Sequence, residues 1–251
     1  MVDGPVLLAD ALDAGVAVDE VVAEAGCPGD LLDRAAAAGA VVHRAPAGAL
    51  ARVVDTRTPH GVAAVARLAD TTPEAAAAVA GPLALVLVGV GDPGNAGTLL
   101  RSAEAAGAGA ALFCDGAVDP FGPKCVRASA GAVFRLAVTR DGASADVLAA
   151  LAAAGMRAVA AVAREAPAYD AADLRGPVAI VVGSEPHGLP AAVAGAVGTA
   201  VTIPMAGRAE SLNVAMAGTI LCFESLRQRR AAQQGNRLDE TPPRAAGCTT
   251  T

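Results

Sequence analysis

From Pro82 onward the chain alternates short apolar runs with longer segments of helical periodicity, and this restricts the possible folds more than any other feature. Leu83–Val88 reads Leu-Ala-Leu-Val-Leu-Val without a polar residue. A strand buried on both faces reads as an unbroken apolar run. Residues 110–114, 135–138, 157–162 and 178–182 are further strand candidates. Residues 96–106, 124–130 and 145–154 lie between strands as candidate helices. Parallel strands need long crossovers, usually helical. The pattern therefore implies an α/β domain with a mostly parallel sheet covered on both faces. A long helix from Ser211 to about Gln233 closes it.

The segment before Pro82 reads differently. Candidate helices at 6–14, 31–38 and 47–54 alternate with candidate strands at 18–25, 41–42 and 61–66, which describes a small α/β sandwich. Asp30 occupies an N-cap position before the second helix. The expected boundaries are 1–72 for this first domain, 73–81 for an alanine-rich linker and 82–234 for the second domain. The polar segment 235–251, with Pro242-Pro243, is expected to be disordered.

No apolar run approaches the ~20 residues that cross a bilayer. The N-terminus carries Asp3 and no basic segment, unlike a signal peptide. A cytoplasmic protein is the expectation, with no membrane partner. The five cysteines and three histidines are scattered, so no metal site is expected. Net charge is −6, and the first 72 residues hold ten acidic residues against five arginines. Such a balance disfavours indiscriminate binding of nucleic acid. Nearly all of the positive charge is arginine, with Lys124 the only lysine, so any contact with nucleic acid would need a local cleft of arginines.

Gly89-Val90-Gly91-Asp92-Pro93-Gly94 is formally a G-x-G-x-x-G turn between strand and helix, with Asp115 downstream. It is compatible with a dinucleotide site, although Pro93 removes one backbone donor from the turn. A second reading takes Asn95 as helix cap and sets Arg101 on the same helix within ~120° of it. Both residues then face the carboxyl edge of the sheet, where open α/β proteins bind ligands. Two later segments matter here. Gly183-Ser184-Glu185-Pro186-His187-Gly188-Leu189 follows a strand, and Ile203-Pro204-Met205 leads to Ser211-Leu212-Asn213-Val214-Ala215 before the last helix.

Taken together, N-x-G-x-x-x-R, G-S-E-x-x-G-L and I-P-M…S-L-N-V-A resemble the three motifs of the SpoU/TrmH RNA methyltransferases of the SPOUT superfamily. Residues 127–132 (Arg-Ala-Ser-Ala-Gly-Ala) also match the family, and residues 56–62 are similar to the closing signature of its L30e-like amino-terminal domain. The resemblance spans residues 2–230. It implies an S-adenosylmethionine-dependent ribose 2′-O-methyltransferase with a carboxyl-terminal trefoil knot. It implies a homodimer, and an RNA substrate that is rRNA in preference to tRNA. Gly183, Ile203, Met205 and Leu212 are then expected at the cofactor. Arg101 is expected at the reacting hydroxyl and its phosphate, with Asn95, Glu185, Ser211 and Asn213 orienting it. Arg57, Arg127, Ser129 and Arg135 are expected along the RNA path.

Overall fold

The computed structural model describes residues 1–52, 54, 60–67, 70–184 and 188–239. The amino-terminal part contains β1 (Val2–Asp3), α1 (Pro5–Asp13), β2 (Val18–Ala23), α2 (Gly29–Ala37), β3 (Val41–Arg44) and β4 (Val62–Ala66). Its four strands run in the order β1-β4-β2-β3, with β4 antiparallel to both neighbours and β2 parallel to β3. Leu7 and Leu8 of α1 and Leu31 and Leu32 of α2 bury against Val18 and Val21 of β2. Two expectations change here. Pro28 caps α2, so Asp30 sits inside its first turn, where a carboxylate favours the helix dipole. The helix expected over 47–54 is a single 3₁₀ turn, Leu50–Arg52, fastened by the Leu50 N–H donating to Glu24 at 2.7 Å.

The expected linker is a helix. α3 (Pro73–Val79) starts with Thr72 accepting from the Ala75 N–H and with proline at its first turn, a standard N-terminal arrangement. Ala76 and Ala77 of α3 are buried among residues of the larger sheet. Asp70 bridges to Val138 and pairs with Arg140 at 2.9 Å. The segment is therefore part of the larger sheet's cover.

That sheet is built by β5 (Leu83–Val88), α4 (Pro93–Ala105), β6 (Ala110–Cys114), α5 (Pro123–Ser129), β7 (Ala137–Gly142), α6 (Ser144–Ala153), β8 (Arg157–Val162), β9 (Val178–Val182), α7 (Ala191–Ala196), β10 (Thr199–Thr202) and α8 (Val214–Asp239). All neighbouring pairs are parallel, in the order β10-β8-β9-β5-β6-β7. The three strands β5, β6 and β9 are buried throughout, as their apolar runs require. Their side chains alternate between two layers. Leu83, Leu85, Leu87, Phe113 and Ile180 face α4, α5 and α8, while Ala84, Val86, Leu112 and Val181 face α3, α6 and α7.

Several boundaries move. β7 begins at Ala137, after a 3₁₀ turn at Ala132–Phe134. α7 and β10 have no counterpart in the sequence reading. α8 starts at Val214 and runs to Asp239, beyond the expected domain end at 234. Of the tail expected to be disordered, 235–239 is helical and 240–251 lies outside the described residues. The small sheet is not separate from the large one. Val2, Leu7, Leu8 and Val18 belong to the same buried cluster as Leu99, Val126 and Val133.

Candidate active site

The chain moves outward from β5 through β6 to β7, then crosses to the opposite side and inserts β9 between β8 and β5. The strand order reverses beside β5, and crevices at the carboxyl ends of strands form at such a reversal. On the β9 side of that reversal lies a cavity of about 640 Å³. The ends of β8, β9 and β10 supply Ala163, Gly183 and Val201, and the approach to α8 supplies Ile203, Met205, Ser211, Leu212 and Asn213. Its lining includes no charged residue among those described.

Gly183 has a steric reason to be glycine. The loop that follows folds straight back: the Ser184 N–H donates to the Gly188 carbonyl at 3.1 Å, and the Gly188 N–H donates to the Ser184 carbonyl at 2.8 Å. A methyl group at 183 would collide with the backbone of Gly188 and Leu189. The absence of a side chain lets the loop close, and it leaves backbone facing the cavity.

At the start of α4, the structure reassigns the cap. Asp92 accepts the Asn95 N–H at 2.8 Å and receives Lys124 Nζ at 3.4 Å. The Asn95 N–H, with Lys124 nearby, holds the Asp92 carboxyl below the usual carboxylate range. Asn95 is therefore not the cap, and its side chain turns to α8. Asn213 is the cap of α8: its Oδ1 accepts the Ala215 N–H at 2.9 Å. Its Nδ2 donates to Asn95 Oδ1 at 3.1 Å. The capping bond dictates which end of the Asn213 amide points at Asn95.

Gly97, the glycine of the first motif, lies against Cys125 and Ala128 of α5, and a methyl group there would overlap the Ala128 side chain. This contact brings α5 close to α4. Arg101 stands six residues after Asn95, about 9 Å further along the helix. It is exposed and makes no ion pair or hydrogen bond among the described residues. Beside it, Ser102 meets Thr219 of α8 at 2.8 Å, tying the two helices together.

The proposed RNA contacts divide. Arg127 on α5 is half-buried. Ser129 is fully buried and donates to the Val126 carbonyl at 2.8 Å, so its hydroxyl is not presented to a ligand. Arg135 donates to Glu104 at 2.9 Å and lies 3.8 Å from Asp10 of α1, so its charge is met by two carboxylates that join the two sheets. The Glu104 hydrogen bond raises its pKa further. Neither residue is placed as an RNA contact. Arg57, Glu185 and His187 lie outside the described residues.

The dinucleotide alternative loses its acidic residue. Asp115 Oδ1 accepts the Ser144 N–H at 3.0 Å, at the start of α6. No group of three metal-ligating side chains gathers among the described residues. Cys114, Cys125 and Cys222 are buried, and burial pushes each thiol up to about 12, so none is a ready thiolate. Also among the described residues, no helix is long and apolar enough to cross a membrane. Sequence reasoning missed Asp92 and Lys124 as the pair that sets α4. It also missed Ala161, Val162 and Ala163, which line the cavity. The signal for those three was their place at the carboxyl end of a strand.

An all-parallel open sheet with a cavity at the carboxyl ends of its strands defines an α/β ligand-binding domain. The chain belongs to the SpoU rRNA Methylase family, whose model matches residues 82–223. It is 32% identical over 225 residues to a Bacillus subtilis protein named 23S rRNA (guanosine(2553)-2′-O)-methyltransferase RlmP, covering 89% of this chain and 86% of the relative. Among solved structures, an AdoMet-bound rRNA methyltransferase from Sinorhizobium meliloti superposes with a TM-score of 0.81 at 31% identity, over 90% of this chain and 85% of that one. The SpoU methyltransferase AviRb from Streptomyces viridochromogenes gives 0.82 at 25% identity, over 92% and 90% of the two chains.

Proposed function

We propose that this protein is an S-adenosylmethionine-dependent methyltransferase that modifies a ribose 2′-hydroxyl in RNA, with 23S rRNA as its substrate class. The observation that carries this reading is that two sequence-distant motifs line one cavity and the first motif is joined to it by the Asn95–Asn213 hydrogen bond. The cavity's volume of about 640 Å³ falls within the range of small-ligand sites, ~300–1,000 Å³. Its mixed lining, apolar at Val182, Ile203 and Leu212 and polar at Ser211 and Asn213, and the bare backbone at Gly183 fit an adenosine-bearing cofactor. Gly183, Ile203, Met205 and Leu212 would hold it. When bound, S-adenosylmethionine supplies an electrophilic methyl group.

The protein's own task is to place and activate the ribose hydroxyl. Arg101 lies on the α4 helix that Asn95 and Asn213 tie to the cavity, and its guanidinium has no competing carboxylate among the described residues. A guanidinium stays protonated at any physiological pH, so it is a poor base. Its role here is to hold the RNA phosphate and to offset negative charge as it develops on the ribose oxygen. Ser211 and Asn213 orient the ribose from the cavity rim, and Glu185 is assigned to the same set by its motif. Arg127 is the described arginine assigned to the RNA path, with Arg57 assigned by sequence alone.

The same reading includes a trefoil knot around the cavity, an L30e-like role in RNA binding for the small sheet, a cytoplasmic setting and a homodimer. Met216 and Phe223 are 50% and 44% exposed and lie seven residues apart on one side of α8, a surface suited to a second copy. Mapping 2′-O-methyl marks in rRNA from cells with and without the gene tests the function. One nucleotide should lose its mark, and unchanged 23S rRNA would sink the substrate assignment. Light scattering on the purified chain tests the dimer, and a mass near 24.4 kDa would overturn it.

A further inference from the structure

The described lining of the cavity leaves both charges of its proposed ligand unmatched. It carries no charged side chain. The cofactor proposed for it ends in an α-amino acid, with one ammonium and one carboxylate. Burying such a pair among apolar groups without partners is costly. The amino-acid end must therefore reach charged groups at the rim.

Two rim segments each place one charge next to a lining residue. Arg164 follows Ala163 at the end of β8, and Glu210 precedes Ser211 ahead of α8. Their side chains meet across the two segments at 3.4 Å. The Arg164 segment is an arch pinned at both ends by one residue. Thr202 Oγ1 donates to the Ala163 carbonyl at 3.0 Å, and the Thr202 N–H donates to the Pro167 carbonyl at 2.9 Å. Within the arch, Glu165 adopts a φ of +59°, a left-handed conformation that non-glycine residues seldom take. Strained residues of this kind cluster at ligand clamps. The Arg164 and Glu210 side chains remain 67% and 85% exposed, and so exposed an ion pair contributes little to folding.

We propose that Arg164 and Glu210 are the cofactor-specificity pair: Arg164 binds the α-carboxylate of the methionyl end, and Glu210 binds its α-ammonium. The inference rests on the cavity being the S-adenosylmethionine site. In the unliganded protein the two side chains pair with each other, and the ligand's own pair of opposite charges replaces that contact with two charge-assisted hydrogen bonds. Arg208, also on the rim loop, adjoins no lining residue and makes no ion pair among the described residues.

Titration calorimetry on the full chain tests this with two probes that share a nucleoside and a thioether. S-adenosylhomocysteine keeps the amino-acid end, and methylthioadenosine lacks it. The wild type should prefer the first by about ten-fold or more. Arg164→Ala and Glu210→Ala should each weaken S-adenosylhomocysteine about five- to ten-fold, and leave methylthioadenosine within about two-fold. The charge-swapped R164E/E210R variant can re-form an ion pair but opposes both ligand charges, so its affinity should stay low. Recovery of wild-type affinity in that variant would show a purely structural pair and overturn the proposal. So would equal affinity of the wild type for the two probes, or a parallel loss of both in the alanine variants. An Arg208→Ala loss matching Arg164→Ala would likewise remove the assignment. If the wild type bound neither probe, the cavity assignment itself would fall.

Discussion

On one face of the six-stranded sheet, Leu85, Leu87, Phe113 and Ile180 pack under α4, α5 and α8. On the other, Ala84, Ala110 and Ala179 share the layer with Val86 and Leu112 under α3, α6 and α7. Both faces are equally dry, yet they are used differently. The first is continuous with the walls of the cavity through Val182, Val201, Val214 and Leu221. It also bears the helices that carry Asn95, Arg101 and the Asn213 cap. Among the described residues the second holds one motif residue, Leu189, and reaches the cavity only through Val162. The contrast teaches that burial alone does not mark function; what differs is which layer supplies most of the cavity's walls.

The strongest test of that division is Arg101→Ala on the motif-bearing face. Methyl transfer in single turnover should fall by ~10²–10³-fold, the scale of a lost group that stabilises developing charge. Cofactor affinity should stay within a few-fold, since the cavity lining does not include Arg101. Arg101→Lys should rescue poorly, because lysine lacks the planar fork. Near-normal turnover in the alanine variant would remove the mechanism.

Next in size is Gly183→Ala. The added methyl meets the Gly188 backbone and forces the loop open, so cofactor affinity should drop by about a hundred-fold. Calorimetry showing wild-type affinity would mean that the loop does not shape the pocket.

A pair of core truncations compares the faces directly. Leu221 and Leu112 are both fully buried, the first lining the cavity and the second in the opposite layer. Leu221→Ala and Leu112→Ala should each cost about 2–5 kcal/mol in denaturant unfolding. Only Leu221→Ala should also weaken the cofactor below its melting range. Equal loss of affinity in both variants would erase the distinction.

The smallest effect concerns acid. Asp92 has its folded pKa lowered by the Asn95 N–H, so its contribution to stability is present above the unfolded pKa and is lost as pH falls through the folded one. Thermal melts should show the wild type losing stability below the usual carboxylate range, with Asp92→Asn, which can still cap, losing less. Identical pH profiles would place the acid sensitivity elsewhere.

Legibility in the sequence followed the same physics. β5, β6, β8 and β9 were readable to the residue. The first, second and fourth of these are buried on both sides and write themselves as apolar runs. α7 and β10 were not, since residues 191–202 mix alanine, valine and glycine without a period. α3 passed for a linker because an alanine run looks alike whether it faces water or a neighbour; only packing at Ala76 and Ala77 distinguishes them. Gly183, Ile203, Met205 and Leu212 gather at one cavity, as their motifs suggested, and Asn95 meets Asn213. What sequence does not disclose is prior engagement. Ser129 and Arg135 are the right residue types for RNA, yet one is sealed in and the other is held by Glu104 and Asp10.

The shared core beneath α1 and α5 has a consequence for how this molecule changes over time. Because Leu7 and Leu8 lie in the same dry cluster as Val126 and Val133, the small sheet is mortised to the larger one rather than hung from it. A substitution at that seam is felt on both sides, so the two parts are bound to drift in step. An unrelated domain could not be spliced on at residue 72 without exposing the underside of α4 and α5. The architecture trades freedom of recombination for a constant span between its two ends.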